Sequence, residues 1–559
     1  MNSNENPEIE IENENENLEI EDNEEIGTTL DELLQDEIIQ YIFSFFRNTE
    51  LRKVVFVCKR WSELALDPFL WDKLYISKPT EKKMKPIITD FLKSIYLCNC
   101  GSKEVNCLTL LHKCRNLRTI SFEVVPYTWI NEISNLLQAC PIESLSFVDF
   151  SCNVRSESFL KNCSNLTNFS VSRPTYNAYQ DEPFQFRFLS NIERLELVKV
   201  RLSDSDVQQL ENLENFKKIT YLNLNSSLKN QNLNGILLNM PNITFLDISG
   251  CHLSLQIQWE LLPKLIELNL SNGLDSQQSL LSDNFFENMK NLAKLDVSLS
   301  KYSFKLRNLV ELPQLRCFLS IESNSNYSSI DRGDSIILPP HCAKVDLRNY
   351  TFMKEFKPDL PDSLQSLFLF SCGLKTFSVS SVSPYLSYID ISKNQLSTLP
   401  QDFGKNCPNL LELNCAYNSI SLIPDSFGQM KRLRKLSFEK NKISSIPDSF
   451  QYCTSLNELS FRANSIINVP LFFNKLTHLN SLDLSFNQIT KLSDEIFDPL
   501  ELLTELSLEG NKNLKKLPKR LTKKRKQEKI TINFFQIPPP EETNNNYYYS
   551  QEKKNCLIL

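Results

Sequence analysis

Glycine is scarce in this chain, with 10 among 559 residues. Glycine supplies the positive-φ turns of tight hairpins and the close backbone approach of phosphate-binding loops. Its scarcity argues against a Gly-rich phosphate site and against a sheet sandwich full of tight turns. No apolar run reaches the roughly 18 residues that a membrane-spanning helix needs, and the acidic start carries no secretory signal. Histidine is limited to His112, His252, His341 and His478, which are scattered rather than spaced as a ligand set. His478 falls inside an apolar repeat frame and is expected to be a packed or surface residue. Lysine and arginine are absent from residues 1–27, which hold 11 Asp and Glu. That low-complexity segment lacks the apolar content to fold and is expected to be disordered. Also missing are paired carboxylates at fixed spacing and any Ser/Cys–His arrangement. The chain is therefore not expected to be an enzyme or to need a metal or cofactor.

Cysteine, by contrast, is plentiful at 16, and its placement decides its meaning. Cys114-Arg-Asn-Leu117, Cys163-Ser-Asn-Leu166, Cys407-Pro-Asn-Leu410 and Cys453-Thr-Ser-Leu456 each put Cys three residues before a recurring Leu. These read as small buried hydrophobes in a reduced compartment rather than as disulfides. Cys98-Asn-Cys100 is too tight for the usual zinc spacing.

The strongest pattern runs from Leu386 to Asn511. Leu386..Ile389.Ile391..Asn394 is repeated as Leu410..Leu413.Cys415..Asn418, Leu433..Leu436.Phe438..Asn441, Leu456..Leu459.Phe461..Asn464, Leu479..Leu482.Leu484..Asn487 and Leu503..Leu506.Leu508..Asn511. The Asn residues are 23 or 24 apart, which is the period and pattern of leucine-rich repeats. Each unit predicts a short strand with apolar residues pointing inward. The Asn is expected to satisfy backbone groups that the turn leaves unpaired. Return segments follow as Leu399-Pro400..Phe403, Ile423-Pro424..Phe427, Ile446-Pro447..Phe450 and Val469-Pro470..Phe473. One unit cannot bury its own face, so stacking makes the core and the chain can grow past the size of one globular core. The outward strand positions form a concave face that includes Tyr388, Asp390, Glu412, Asn414, Lys435, Glu439, Glu458 and Arg462. They are read as a target-binding surface, the alternative being a plain solvated face.

Looser repeats fill residues 90–385, with starts about 22 to 27 residues apart from Leu92 to Leu364. Residues 322–335 read as a loop between units. Its Arg332-Gly333-Asp334 resembles an adhesion signal, a role not expected in a chain without a secretory signal.

Residues 28–76 change character. Leu33, Leu34, Ile38, Ile39, Ile42, Phe45 and Phe46 recur at helical spacing, as do Leu51, Val54, Val55, Cys58 and Trp61. About 45 residues make a small core, and exposed aromatics there would suit a partner. The stretch Leu34-Gln-Asp-Glu37-Ile38…Ile42, then Leu51…Val57-Cys-Lys-Arg-Trp61, then Asp67-Pro-Phe-Leu70-Trp71, resembles an F-box. Gln35 stands where that family has Pro, a residue that favours a first helical turn; Asp36 and Glu37 still suit a helix N-terminus. The resemblance implies binding to the Skp adaptor of a cullin-based, SCF-type ubiquitin ligase through Leu34, Glu37, Ile38, Ile42, Leu51, Val57, Trp61, Leu70 and Trp71. A helical cap on the first repeat is the plainer alternative.

Residues 519–559 are expected to leave the repeat as a low-complexity tail. Lys519, Arg520, Lys523, Lys524, Arg525 and Lys526 make a basic run, and the chain ends Cys556-Leu-Ile-Leu559. That ending resembles a prenylation signal of the geranylgeranyl form on Cys556. One lipid anchors marginally, and a basic run beside it supplies a second signal for anionic lipid. An anionic membrane surface is thus the expected partner of the run, rather than nucleic acid or nuclear import.

Together these features predict an α/β leucine-rich-repeat solenoid with a curved parallel sheet, preceded by a small all-α F-box over 28–76. Irregular repeats occupy 90–385, regular repeats 386–518, and disordered tails flank both ends. The expected role is a ligase substrate receptor that binds an unknown protein target at the cytosolic face of a membrane. A membrane-tethered scaffold, for example for small GTPases, is the rival.

Overall fold

The computed structural model describes residues 35–44, 46, 54, 57–65, 70, 73–80, 92–151, 153–174, 183–212, 214–229, 231–253, 257–273, 283–299, 306–320, 338–350, 360–379, 381–526 and 530–534. The chain divides into two compact units, residues 1–179 and 180–559.

The first unit starts with α1 (Asp36–Phe43) and α2 (Lys59–Ala65). Gln35 holds extended backbone (φ −69°, ψ 152°) and caps α1 without a side-chain hydrogen bond. Its carbonyl accepts from Ile38 N at 3.0 Å and Ile39 N at 3.2 Å, so helical backbone bonding starts without the family's Pro. Ile39, Phe43, Val54 and Ala65 form a small core, with Trp61, Leu64 and Leu70 packed against it. The Trp61 ring meets Phe43 edge-on, centroids 5.5 Å apart. Arg60 clamps Asp36, its Nε and Nη2 donating to Oδ1 at 2.9 and 2.6 Å.

Five parallel strands follow: β1 (Lys73–Ser77), β2 (Ser94–Cys98), β3 (Thr119–Glu123), β4 (Ser144–Val148) and β5 (Asn168–Ser172). Consecutive strands pair in register, Leu74 beside Ile95 beside Ile120 beside Leu145 beside Phe169. Their second and fourth residues are buried, and return segments such as α3 (Ile130–Ala139) close the other side. β1 lies inside the stretch assigned to the F-box, and it pairs with β2, its Leu74 and Ile76 continuing the inward alternation of β2.

The second unit carries β6 (Arg194–Val198), β7 (Tyr221–Asn223), β8 (Phe245–Asp247), β9 (Glu267–Asn269), β10 (Lys294–Asp296), β11 (Cys317–Leu319), β12 (Lys344–Asp346), β13 (Ser366–Phe368), β14 (Tyr388–Asp390), β15 (Glu412–Asn414), β16 (Lys435–Ser437), β17 (Glu458–Ser460), β18 (Ser481–Asp483), β19 (Glu505–Ser507) and β20 (Thr531–Asn533). Each strand pairs in parallel with the next. This is the open parallel sheet of a leucine-rich-repeat solenoid.

The Asn residues hold the units together. Asn441 Nδ2 donates to the carbonyls of Cys415 and Phe438 at 3.0 Å and of Glu439 at 3.2 Å. Its Oδ1 accepts Ile420 N–H at 2.9 Å. Asn464, Asn487 and Asn511 repeat the pattern one unit on. The residue before each Asn is left-handed: Lys393, Tyr417, Lys440, Ala463 and Phe486 at φ 50 to 55° and Gly510 at 72°. For a non-glycine this conformation costs roughly 1–2 kcal/mol. The cost is offset because the left-handed amide still pairs with the next unit, as in Tyr417 N to Glu439 O at 2.7 Å. At Gly510 even a Cβ would lie 2.5 Å from the Phe486 ring.

The prolines and phenylalanines of the return segments form a second spine. Pro424, Pro447 and Pro470 sit in extended backbone before short 3-10 turns, where their missing N–H leaves no bond unmade. Phe403, Phe427, Phe450 and Phe473 are fully buried. The rings of Phe427 stack near Phe403 at 5.7 Å and Phe450 at 6.5 Å.

The other end also differs from the sequence reading, which starts a tail at 519. Lys519–Lys526 is helical, here α4, and its Leu521 is buried. Ile530 and Ile532 are buried too, and β20 pairs with β19, Ile532 beside Leu506. The in–out alternation of Ile530-Thr-Ile532 adds one more strand. The basic residues thus belong to the segment that closes the solenoid. Residues 535–559, Cys556 among them, lie outside the described residues, as do residues 1–34 and Arg332-Gly333-Asp334.

Candidate protein-interaction surfaces

The first surface is the outer side of the helical segment. With Ile39 and Phe43 turned into the core, helical periodicity turns Ile38, Tyr41 and Ile42 outward. Their exposures are 44%, 67% and 40%, joined by Phe46 at 37% and Val57 at 56%. Of the residues expected to meet an adaptor, Ile38, Ile42 and Val57 are therefore available. Trp61 and Leu70 are half-buried, packed against the core. Glu37 falls on α1. Leu34, Leu51 and Trp71 lie outside the described residues.

The second surface is the solvent face of β14–β19. A trough of about 390 Å³ is lined by Tyr388, Glu412, Asn414, Lys435, Glu458 and Asp483 among others. Register places Tyr388, Glu412, Lys435, Glu458, Ser481 and Glu505 in one row. Lys435 and Glu458 are bound at 3.0 Å, and that hydrogen bond holds the ammonium above its ordinary pKa. In the next row but one, Arg462 reaches Glu439 at 3.6 Å and Glu509 at 3.0 Å and lies 4.3 Å over the Phe486 ring. Burial, with Asp483 adding to it, pushes the Glu439 carboxyl up despite Arg462.

Asp390 corrects the sequence reading. It is only 6% exposed, flanked in register by Phe368 and Asn414. Its Oδ1 accepts Ser392 N–H at 2.9 Å and Oγ–H at 2.5 Å, so it ties off its own strand rather than facing a ligand. Asn414 and Glu412 are half-buried on the open face. The sequence reading also missed an aromatic patch beside them. Phe368 and Tyr388 face each other at 4.7 Å, with the Lys344 and Arg348 cations 5.5 and 5.7 Å from the Phe368 centroid. Next to it run Phe370, Lys393, Tyr417 and Lys440, each cation 4.6 to 5.6 Å from a ring. Aromatic residues in phase with the repeat but at outward positions are the signal that marks them.

The cysteines that fall in repeat register are buried. Cys163, Cys407 and Cys453 are buried and pushed up to about 12 by that burial. Cys114 is buried, and its carbonyl accepts Leu117 N–H at 3.2 Å. His478 is exposed, its Nδ1 2.9 Å from Thr454 O. Among the described residues no group of three or more His, Cys, Asp or Glu could hold a metal, and no helix is long and apolar enough to cross a membrane. Lys519 and Lys523 of α4 are exposed; Arg520, Lys524, Arg525 and Lys526 lie on the same helix.

A leucine-rich-repeat family model matches residues 384–443 and 469–512, and an F-box-like model matches residues 36–77. These matches support an F-box/leucine-rich-repeat protein. Both parts are of the kind that serves protein interaction, typically without catalysis. Among solved structures, this chain is similar to the Toll–Spatzle complex of Drosophila, at 18% identity over 85% of this chain and 62% of that one, with a TM-score of 0.48. It is similar to the TLR13–ssRNA13 complex, at 18% identity over 79% and 70%, TM-score 0.45. A leucine-rich-repeat protein of Leptospira interrogans gives 18% identity over 77% and 98%, TM-score 0.42.

Proposed function

We propose that this chain is the substrate-recognition subunit of an SCF-type ubiquitin ligase. The F-box-like segment binds the Skp adaptor, the repeats bind the target protein, and catalysis belongs to other subunits of the assembly. The observation that carries this reading is the split helical face: Ile39 and Phe43 inside, and Ile38, Tyr41, Ile42 and Val57 left in water. Apolar side chains held in solvent by a formed core are what a partner would cover, at roughly 25 cal/mol per Å² removed from water. A geranylgeranyl group on Cys556, with the cations of α4, would hold the receptor at an anionic membrane surface on the cytosolic side and bias it toward membrane-associated targets.

The test uses the full chain, because β1, inside the F-box-like match, pairs with β2 of the repeats. The purified Skp adaptor is titrated against wild type and an Ile42→Asp/Val57→Asp variant. Both positions are exposed, so folding should persist while adaptor binding is lost. If the wild type does not bind the adaptor, the ligase role fails and a membrane-tethered scaffold is the reading to pursue. For the tether, Cys556→Ser should move the protein from membrane to soluble fractions; an unchanged distribution removes the lipid.

A further inference from the structure

We propose that the solvent face of β13–β19, with the trough at its centre, takes an extended basic segment of the target, with an aromatic or large apolar residue seated at one end and Lys or Arg at every third position. This deepens the reading that the repeats bind a protein target, and rests on it.

The charge of the face points to the sign of the partner. β15–β19 and the residues that follow them present six carboxylates on the solvent face (Glu412, Glu439, Glu458, Asp483, Glu505 and Glu509) against three cations, Lys435, Lys440 and Arg462. All three are already engaged, Lys435 by Glu458, Arg462 by Glu439 and Glu509, and Lys440 over the Tyr417 ring. Glu439 among the carboxylates is desolvated by burial, and a cationic segment would relieve the excess negative charge.

The register points to the spacing. Glu412, Glu458 and Glu505 occupy one row on alternate strands, with Lys435 and Ser481 between them. Strands lie about 4.8 Å apart, so these carboxylates recur about every 10 Å. An extended chain covers about 10 Å in three residues. A contiguous run of cations would set one of them over Lys435, which therefore selects against it.

The aromatic patch sets one end. Phe368 and Tyr388 form a ring platform at 4.7 Å on β13 and β14, two strands from Glu412 for Phe368, again about three residues. Beyond it stand Lys344 on β12 and, just past that strand, Arg348, which is paired with Asp346 at 2.9 Å. Lys344 disfavours a basic residue there, so positive charge is favoured on the β15–β19 side. A ring platform beside a graded field has the anatomy of a binding centre with a polar flank.

The experiment titrates the full chain with the fluorescein-labelled peptide Phe-Ser-Gly-Lys-Ser-Gly-Lys-Ser-Gly-Lys and with its reversed sequence, at about 50 mM salt so that screening is weak. One of the two directions should bind at least about tenfold more tightly than its Lys→Gln counterpart, and more tightly than an isomer with the three Lys contiguous. A Glu412→Gln/Glu458→Gln/Glu505→Gln variant should lose about tenfold, and Phe368→Ala severalfold. Lys435→Gln should bind the peptide more tightly, a gain that misfolding could not produce. The proposal is overturned if neither direction exceeds the Gln peptide, if the triple variant binds as well as wild type, or if contiguous Lys is preferred. The triple variant should still bind the Skp adaptor; a failure of the trough thus leaves the adaptor reading standing, and the reverse.

Discussion

Asn441→Ala tests the claim that the Asn ladder, and not the apolar stack alone, fixes each turn. The side chain makes four hydrogen bonds: one accepted from Ile420 N–H and three donated to the carbonyls of Cys415, Phe438 and Glu439. The three carbonyls keep other partners, since Asn418 also donates to Cys415 O at 3.0 Å, Asn464 to Phe438 O at 2.8 Å and Tyr417 N to Glu439 O at 2.7 Å. Ile420 N–H has no such substitute among these bonds and is buried. Leaving one buried donor unpaired costs about 1–3 kcal/mol, and each of the two amide N–H bonds lost about 0.5–1.5 kcal/mol net, for a total of about 2–6 kcal/mol. Hydrogen exchange reads this locally, which suits a solenoid whose units open separately. The Ile420 amide should lose protection by roughly 10²- to 10³-fold, and urea midpoints by circular dichroism should fall with it. Ser437→Ala, on the open face of the same unit, is the control and should change little. Protection of Ile420 that survives within about threefold, under 1 kcal/mol, would refute the ladder as the source of turn stability.

Four further outcomes follow from the packing and the ionisation. Trp61→Ala removes the ring packed against Phe43 and should cost about 3 kcal/mol, seen as faster proteolysis of residues 36–77; unchanged proteolysis with lost adaptor binding would return Trp61 to the interface. Leu436 is 2% exposed, so Leu436→Asp should cost several kcal/mol and collapse the cooperative thermal transition, and a stable variant would mean that the strand faces are inverted. Burial, less the pull of the Ser298 hydrogen bonds and Lys294, raises the Asp296 pKa above its ordinary value. The native state then binds its proton more readily than the unfolded chain, and stability falls as pH rises through that raised pKa. Asp296→Asn should raise the melting temperature at neutral pH, with the gap closing as pH drops; a more stable wild type at pH 7 would contradict this. Native Cys163, Cys407 and Cys453, at about 12, should resist iodoacetamide at pH 8 and react once unfolded; labelling of the native chain would show that these sites open.

The sequence by itself determined the repeat. The strand alternation, the Asn at each exit and the Pro-x-x-Phe return are local, each readable within about 24 residues, and parallel stacking follows because no single unit can bury its own face. Leu436, Asn441 and Phe450 therefore stand where their spacing put them. The helical periodicity likewise separated Ile39 from Ile38 and Ile42. Tertiary structure alone decided how exposed each outward residue is, because its neighbours belong to the strands on either side, more than 20 residues away. Asp390 is covered by residues on β13 and β15; Phe368 and Tyr388 become a platform only when β13 meets β14. The ends were decided in the same way. Lys73–Ser77 and Thr531–Asn533 are too short to announce themselves as strands, and they become so only by pairing with β2 and β19. Trp61, named for the adaptor from the F-box resemblance, is shown only by the fold to pack edge-on against Phe43 in the small core.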